Sequence, residues 1–414
     1  MSMAEERRRE RGIRLETIRE SPNILAKDYS HFDVENRLLL TGHSHQAWPD
    51  RAFDGQKEAW LDAARHVDEK WEEAFLRAER VRLGYARLLD DIGPDRGSIT
   101  LAQSTHDLLV RFLSALPIRE RPRLVTTTAE FHTIRRQLYR LEEEGIEIIW
   151  VEADPVSEVS NRLAEMVDDT TAAVLVSSVF FTNARIVPGL GEVMRACERV
   201  GTELLIDAYH QLNVAPFSIQ EEGLEGAYIV GGGYKYCQLG EGNAFLRTPS
   251  NSKLRPVITG WFSEFSALAE DHPGGETPYG RGPDRFAGAT YDPTSNYRAA
   301  AVFDFFDEEG LDIEFLRTVS QHQIGLLAAR FDALDLDPSL IDRDRSSQIG
   351  EIAGFLALES PRAGEISGAL RERGVLTDFR GNTLRLGPAP YLSDRQLEDA
   401  IEALGESVRA LEVG

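Results

Sequence analysis

From about residue 121 the chain alternates between short apolar runs and amphipathic stretches. RLVTTTAEF, IEIIWVEA, AAVLVSSVFF, TELLIDAY and GAYIVGGGY are rich in β-branched and aromatic residues and read as strands. Between several of them lie segments of helical period, such as TIRRQLYRLEEEG and GLGEVMRACERVG. Near-continuous apolar strands separated by helices predict an α/β fold, a mostly parallel sheet with helices on both faces. Upstream, NRLLLTGHSHQAWP reads as a short strand entering a turn, and residues 54–91 carry apolar positions at the spacing of one long helix. Ser104 and Thr105 precede the periodic run HDLLVRFLSAL, the signature of a helix N-cap. The Gly- and Pro-rich stretch 270–288 reads as a long surface loop. Beyond it, NYRAAAVFDFFDEEG and DIEFLRTVSQHQIGLLAARFDAL read as helices. An α+β tail follows: GEISGALRERG, the strand NTLRLGPAP, and a last helix opened by a capping box of Ser393 and Gln396. The expected organisation is an N-terminal segment, 1–53, a large domain, 54–297, and a small C-terminal domain, 298–414.

Composition narrows the functions open to such a chain. The 414 residues carry a formal net charge of −23, which repels nucleic acid and anionic membrane surfaces. No apolar run approaches the ~20 residues that span a bilayer. The N-terminus, MSMAEERRRERG, lacks the apolar core of a signal peptide, so the expected location is cytoplasmic. Two cysteines, Cys197 and Cys237, are too few for a disulfide framework or a cysteine-based zinc site. His43 and His45 alternate in a strand-like stretch, but no third ligand stands near them. They read as pocket or surface residues, and no metal is expected.

Lysine occurs only at positions 27, 57, 70, 235 and 253. Lys235 stands in GGGYKYCQLGEGNAF, directly after a strand-like run. A buried ammonium is costly unless paired or neutralised, so this lysine is either a compensated structural residue or a reactive one. Asp207 and His210 lie at the end of the preceding strand, LLIDAYH, and ligands of open α/β sheets bind beyond such strand ends. A buried salt bridge is the plain reading of Asp207 and Lys235. Pyridoxal phosphate (PLP) is the sharper one. The lysine forms a Schiff base with the cofactor aldehyde, and the aspartate keeps the pyridine nitrogen protonated. Ser104 and Thr105 at a helix start supply a phosphate anchor, and Phe131 or His132 in AEFHT a flat cover for the ring.

Asp207-Ala-Tyr-His210 followed by Tyr234-Lys235-Tyr236 and a Gly-rich turn resembles the fold-type I PLP enzymes of the aminotransferase class V superfamily, specifically the kynureninases. LLLTGHSHQAWP resembles that family's N-terminal strand ending in Gly-Asn-Ser-Leu-Gly. Gly260-Trp261-Phe262 is similar to its Gly-Trp-Phe motif, and FRGNTLRLGPAPYLS to its C-terminal Arg-Val-Ala-Pro-Val-Pro-Leu-Tyr segment. The resemblance implies that Lys235 holds the cofactor and carries protons, with Asp207 on the pyridinium and His210 supporting the cofactor beside it. Tyr234 would touch the phosphate and assist proton transfer. Thr105 and Ser104 would bind phosphate, and Phe131 would stack on the ring. Trp261 would reach the phosphate of a neighbouring subunit, which implies a homodimer with shared sites. Arg385 would clamp the substrate α-carboxylate. Asn183 would either contact the ring oxygen or merely close a strand.

The implied reaction is hydrolysis of the Cβ–Cγ bond of an amino acid bearing a γ-carbonyl, releasing alanine and a carboxylic acid. The pocket departs from the family where Gly42-His43-Ser44-His45-Gln46 replaces Gly-Asn-Ser-Leu-Gly: Ser44 is kept and His43 is new. Ser263-Glu264 follow Trp261-Phe262 where the family has Gly-His, and Tyr291-Asp292-Pro293 stands for Ser-Asn-Pro. Asp292 in place of an amide would alter substrate preference. Transamination, β-elimination and decarboxylation share the fold and cofactor and stay open. Cysteine desulfurases of the same superfamily carry a reactive cysteine on a flexible loop in their C-terminal part, and this chain has none after Cys237. A non-catalytic PLP-binding regulator would carry a basic DNA-binding segment, which is not evident here.

Overall fold

The computed structural model describes residues 2–94, 96–267 and 277–412. Among the described residues, the strands run in chain order as β1 (Leu38–Leu39), β2 (Ser98–Ala102), β3 (Arg123–Thr127), β4 (Glu147–Val151), β5 (Thr171–Ser177), β6 (Glu203–Asp207), β7 (Tyr228–Gly232), β8 (Ala244–Thr248), β9 (Leu356–Glu359), β10 (Val375–Leu376), β11 (Asp378–Arg380) and β12 (Thr383–Leu386). Seven form the main sheet in the order β2-β8-β7-β6-β5-β3-β4. Only β8 runs against the others, pairing antiparallel with both β2 and β7. The strands β3, β5, β6 and β7 are nearly all buried, as expected of a sheet covered on both faces. The alternation read from the sequence is therefore realised. Its silent members are β2 and β8, whose apolar content is diluted by Ser98, Thr100, Arg247 and Thr248.

The stretch 54–91 forms two helices, Arg51–His66 and Trp71–Leu88, instead of one. Val67 between them adopts a positive φ of 50°, rare for a β-branched residue, and ends the first helix despite its uninterrupted apolar period. Helix Thr294–Glu309 packs on both. Gly84 permits that approach, because a Cβ there would meet the Phe303 ring at 2.5 Å. The 297/298 division falls inside this helix. The first part of the 270–288 loop lies outside the described residues; from 277 the chain is irregular apart from the short turn Gly282–Asp284.

After helix Ile313–Ala333 the chain builds a three-stranded antiparallel sheet, β11-β12-β9, while β10 pairs in parallel with β1. The N-terminal segment is thereby joined to the C-terminal part. Helix Asp394–Glu412 closes the fold. Its expected capping box is present: Ser393 N donates to Gln396 Oε1 at 3.0 Å and Gln396 N to Ser393 Oγ at 3.4 Å.

Candidate active site

The C-terminal ends of β5 and β6, the turn after β7 and the start of helix Thr105–Ala115 enclose one small cleft. Thr105, Phe131, Ser177, Phe181, Asp207, Tyr209, His210, Tyr234 and Lys235 all line it. Lys235 follows β7, where the glycine run ends, and its side chain is buried. Its Nζ lies 2.5 Å from His210 Nε2 and over three aromatic rings, at 4.7 Å from Tyr209, 5.4 Å from Phe131 and 5.8 Å from Tyr234. Burial pushes the Lys235 amine down to about 7, against the opposing pull of Asp207. A lysine in that state is nucleophilic near neutrality.

His210 is also buried, and burial, reinforced by the positive field of Lys235, drives it well below its ordinary range. The imidazole is thus neutral. Nε2 faces the Lys235 amine, and Nδ1 has no hydrogen-bond partner among the described residues. Asp207 closes β6, and its Oδ1 accepts from the Tyr209 backbone N–H at 2.9 Å. Its other oxygen has no hydrogen bond among the described residues. Burial raises the Asp207 carboxyl, with the Tyr209 N–H and Lys235 acting in the opposite direction.

Ser104 is the N-cap of Thr105–Ala115, its Oγ accepting from Asp107 N at 3.2 Å. That bond occupies its acceptor role, while Thr105 in the first turn faces the cleft. The free N–H groups of the helix start suit an anion. Phe131 opens helix His132–Glu143 and meets Phe181 edge-on at 5.3 Å. Tyr234 stacks on His45 at 4.9 Å, and Ser44 Oγ lies 3.1 Å from His45 Nδ1.

The loop 42–46 is anchored beside β12: Gly42 N donates to Gly387 O at 2.8 Å. A Cβ on Gly42 would meet Pro388 O at 2.4 Å, so only glycine fits that approach. His43 is consequently buried, with Nε2 at 2.7 Å from Asp378 Oδ1. Burial lowers His43 to about 4, although the Asp378 hydrogen bond works against it. Asp378 also receives Arg385 Nε at 2.8 Å and Nη2 at 2.6 Å, while Arg385 Nη1 donates to Phe181 O at 2.6 Å. Burial alone would raise Asp378, but these donors hold it well below the usual carboxylate range.

Three candidates lie apart from this cluster. Asn183 is exposed, and its Oδ1 accepts from Arg185 N at 3.1 Å within the turn. It closes the strand end and does not line the cleft. Asp292 is exposed, with Oδ1 accepting from Thr294 N and Oγ1 at 2.9 and 2.6 Å. Trp261 stands on the short helix Trp261–Ala267, 46% exposed. A roomier cavity of about 380 Å³ beside that helix is lined by Phe75, Arg82, Arg111, Phe262 and Tyr291, and it holds no comparable nucleophile.

Sequence reading missed Tyr209, Ser177, Glu130 and Asp378. Tyr209 is the residue inside the Asp-x-x-His motif whose ring lies over the amine. Glu130 is entirely buried, and burial lifts its carboxyl to about 7 in spite of the Ser177 and Thr127 hydrogen bonds. Its signal was present in AEFHT as a charge inside an apolar stretch. Asp378 was legible only through its register opposite Arg385.

Residues 340–404 match the family model of the kynureninase C-terminal domain. Over 349 residues the chain is 24% identical to the uncharacterized aminotransferase YcbU of Bacillus subtilis (strain 168), covering 83% of this chain and 88% of that protein. It is 23% identical over 392 residues to a kynureninase of Bacillus anthracis, covering 86% and 85%. Among solved structures, a C-DES mutant with glycine covalently linked to its PLP cofactor superimposes with a TM-score of 0.78 at 14% identity, over 92% of this chain and 98% of that one. The cysteine desulfurase of Thermococcus onnurineus NA1 gives 0.77 at 15% identity, over 94% and 99%. Over residues 340–404 the chain is similar to the kynureninase C-terminal domain, and as a whole it has the fold of these PLP-dependent enzymes.

Proposed function

We propose that this chain is a PLP-dependent enzyme acting on an amino acid, and that it hydrolyses a Cβ–Cγ bond beside a γ-carbonyl. The products are alanine and a carboxylic acid, with one water consumed. The observation that carries the reading is Lys235: a buried amine of lowered basicity, caged by three aromatic rings beside Asp207. The donor set fits the cofactor, because among the described residues His210 Nδ1 is a buried polar atom without a partner and the second Asp207 oxygen is uncommitted.

When bound, PLP supplies an electron sink for charge developing at the substrate Cα. Lys235 would hold it covalently and would move protons at the substrate Cα. Asp207 keeps the ring nitrogen protonated, and Phe131 covers one face. The first turn at Thr105, capped by Ser104, receives the phosphate. Tyr234, stacked on His45, assists the proton transfers. His210 orients the Lys235 amine through the Nε2 contact.

Arg385 receives the substrate α-carboxylate through the fork edge that Asp378 leaves free. His43 and Ser44, on the loop anchored beside β12, border the substrate side. Trp261 serves the cofactor phosphate of a second copy, so the working unit is a homodimer. Supporting this, Val257, Ile258, Trp261 and Phe265 expose a run of large apolar side chains. Asp292, whose carbonyl accepts from Gln103 beside the Ser104–Thr105 helix start, contributes to substrate choice. Among the described residues no helix is long and apolar enough to cross a membrane. The acidic chain is read as working in the cytoplasm.

A second reading is another PLP reaction on an amino acid, favoured by the similarity to YcbU, which is named as an aminotransferase. The test is incubation of PLP-loaded protein with L-kynurenine and 3-hydroxy-L-kynurenine. Release of alanine and the matching anthranilate in equal amounts supports hydrolysis. A new keto acid without alanine favours transamination.

A further inference from the structure

Behind the cleft lies a buried acid to which the reading above gives no task. Glu130 is fully buried and has no cation within bonding distance among the described residues. Its two oxygens are used unequally. Oε1 accepts twice, from Thr127 Oγ1 at 2.7 Å and from Ser177 N at 3.2 Å. Oε2 accepts once, from Ser177 Oγ at 2.6 Å. With Glu130 ionised, above about pH 7, the Ser177 hydroxyl spends its only proton on it.

Ser177 ends β5 and pairs in register with Asp207 at the end of β6. Neighbouring residues of a parallel pair point to the same side, and both line the cleft. With its proton turned back to Glu130, Ser177 shows the cleft only lone pairs. The adjacent Asp207 carboxylate also only accepts. Of the two side chains paired at this end, Ser177 and Asp207, each then offers only acceptors. A heteroaromatic nitrogen placed there is satisfied only when it carries a proton.

We propose that Glu130 is a positioning residue that fixes the direction of the Ser177 hydroxyl, and that Ser177 joins Asp207 in holding the cofactor ring nitrogen in its protonated form. This rests on the PLP reading. The geometry makes one substitution informative. In Glu130→Gln, the amide oxygen occupies the Oε1 place to keep the Thr127 and Ser177 N–H bonds, and the NH₂ group then faces Ser177. The hydroxyl must accept from it and turn its own proton toward the cleft. The floor gains a donor, which favours an unprotonated ring nitrogen.

The experiment is nitrogen NMR of the holoprotein loaded with PLP labelled with 15N in the ring. Measured above about pH 7, where Glu130 is ionised, wild type should show the pyridinium position. E130Q should move the resonance toward the unprotonated pyridine position, and adding Ser177→Ala should return it, because the inverted donor is gone. An E130Q signal unchanged from wild type would overturn the inference, as would a double variant that stays shifted. A wild type that takes up no PLP at Lys235 would overturn the cofactor reading and this inference with it. Should E130Q not fold, infrared difference spectra of Ser177→Ala against wild type at alkaline pH provide the second reading. Loss of the hydroxyl must shift the Glu130 carboxylate stretch, and an unchanged band would contradict the bond.

Discussion

Asp378 and Arg385 stand directly opposite each other on the antiparallel strands β11 and β12, and the carboxylate takes two donors of the guanidinium, Nε at 2.8 Å and Nη2 at 2.6 Å. His43 adds a third contact at 2.7 Å. The arginine proposed to clamp substrate is thus already held flat, with one edge of its fork committed and Phe181 O taking a further proton. Fixing the plane this way removes rotamer freedom before substrate arrives.

Asp378→Asn should therefore act on both stability and binding. Removing one partner of a largely buried pair leaves a buried charge uncompensated, at a cost of about 3 kcal/mol. Urea unfolding should show a lower midpoint at unchanged slope. Turnover of any accepted amino acid should lose through KM more than through kcat. Wild-type stability in the variant would contradict the pairing.

The state of Lys235 predicts how the apoprotein takes up PLP. Burial lowers the amine to about 7, so the neutral, nucleophilic form predominates above that pH and disappears below it. The rate of PLP uptake, followed by absorbance after rapid mixing, should rise with pH and level off slightly above about 7. An ordinary exposed lysine would drive the rate upward until about 10. A rise persisting to that point would contradict the buried amine.

Ser104 is assigned the cap of the phosphate helix, and Thr105 the cleft wall. Ser104→Ala should cost about 1 kcal/mol of stability by orphaning Asp107 N, and should weaken PLP binding indirectly. Thr105→Ala should weaken PLP binding with little change in stability. Comparing equilibrium unfolding of the two apoproteins with PLP titrations separates the roles, and a reversed pattern would reassign them.

Trp261, with Phe265 beside it at a ring separation of 5.5 Å, is the proposed contact to a second copy. Trp261→Arg should shift the protein toward monomer in sedimentation velocity and lower PLP occupancy together. A variant that stays dimeric with full occupancy would place the interface elsewhere.

Much of this fold is legible from the sequence because β3, β5, β6 and β7 are buried strands separated by polar-faced helices. Ser104 and Gln396 are equally readable, since caps are local chemistry. The helix break at Val67 is not, because a β-branched residue gives no warning of a positive φ. That Lys235, Asp207 and His210 share one cleft was readable because a short motif holds each close to a strand end. Asp378 and Glu130 escaped notice since their roles exist only after distant pieces meet. Asp378 depends on the β11–β12 register and on the loop of His43, far away in the chain. Glu130 depends on Ser177, which joins it only when β5 is laid beside β3. Asn183 shows the converse: a polar residue near the motif that the fold turns outward.

The central claim is that Lys235 carries the cofactor. PLP-loaded protein should be reduced with borohydride, digested and mapped by mass spectrometry. The account predicts one phosphopyridoxyl group, on Lys235, and loss of the visible imine absorbance in Lys235→Ala. A label on Lys27, Lys57, Lys70 or Lys253 instead, or no label at all, would contradict it.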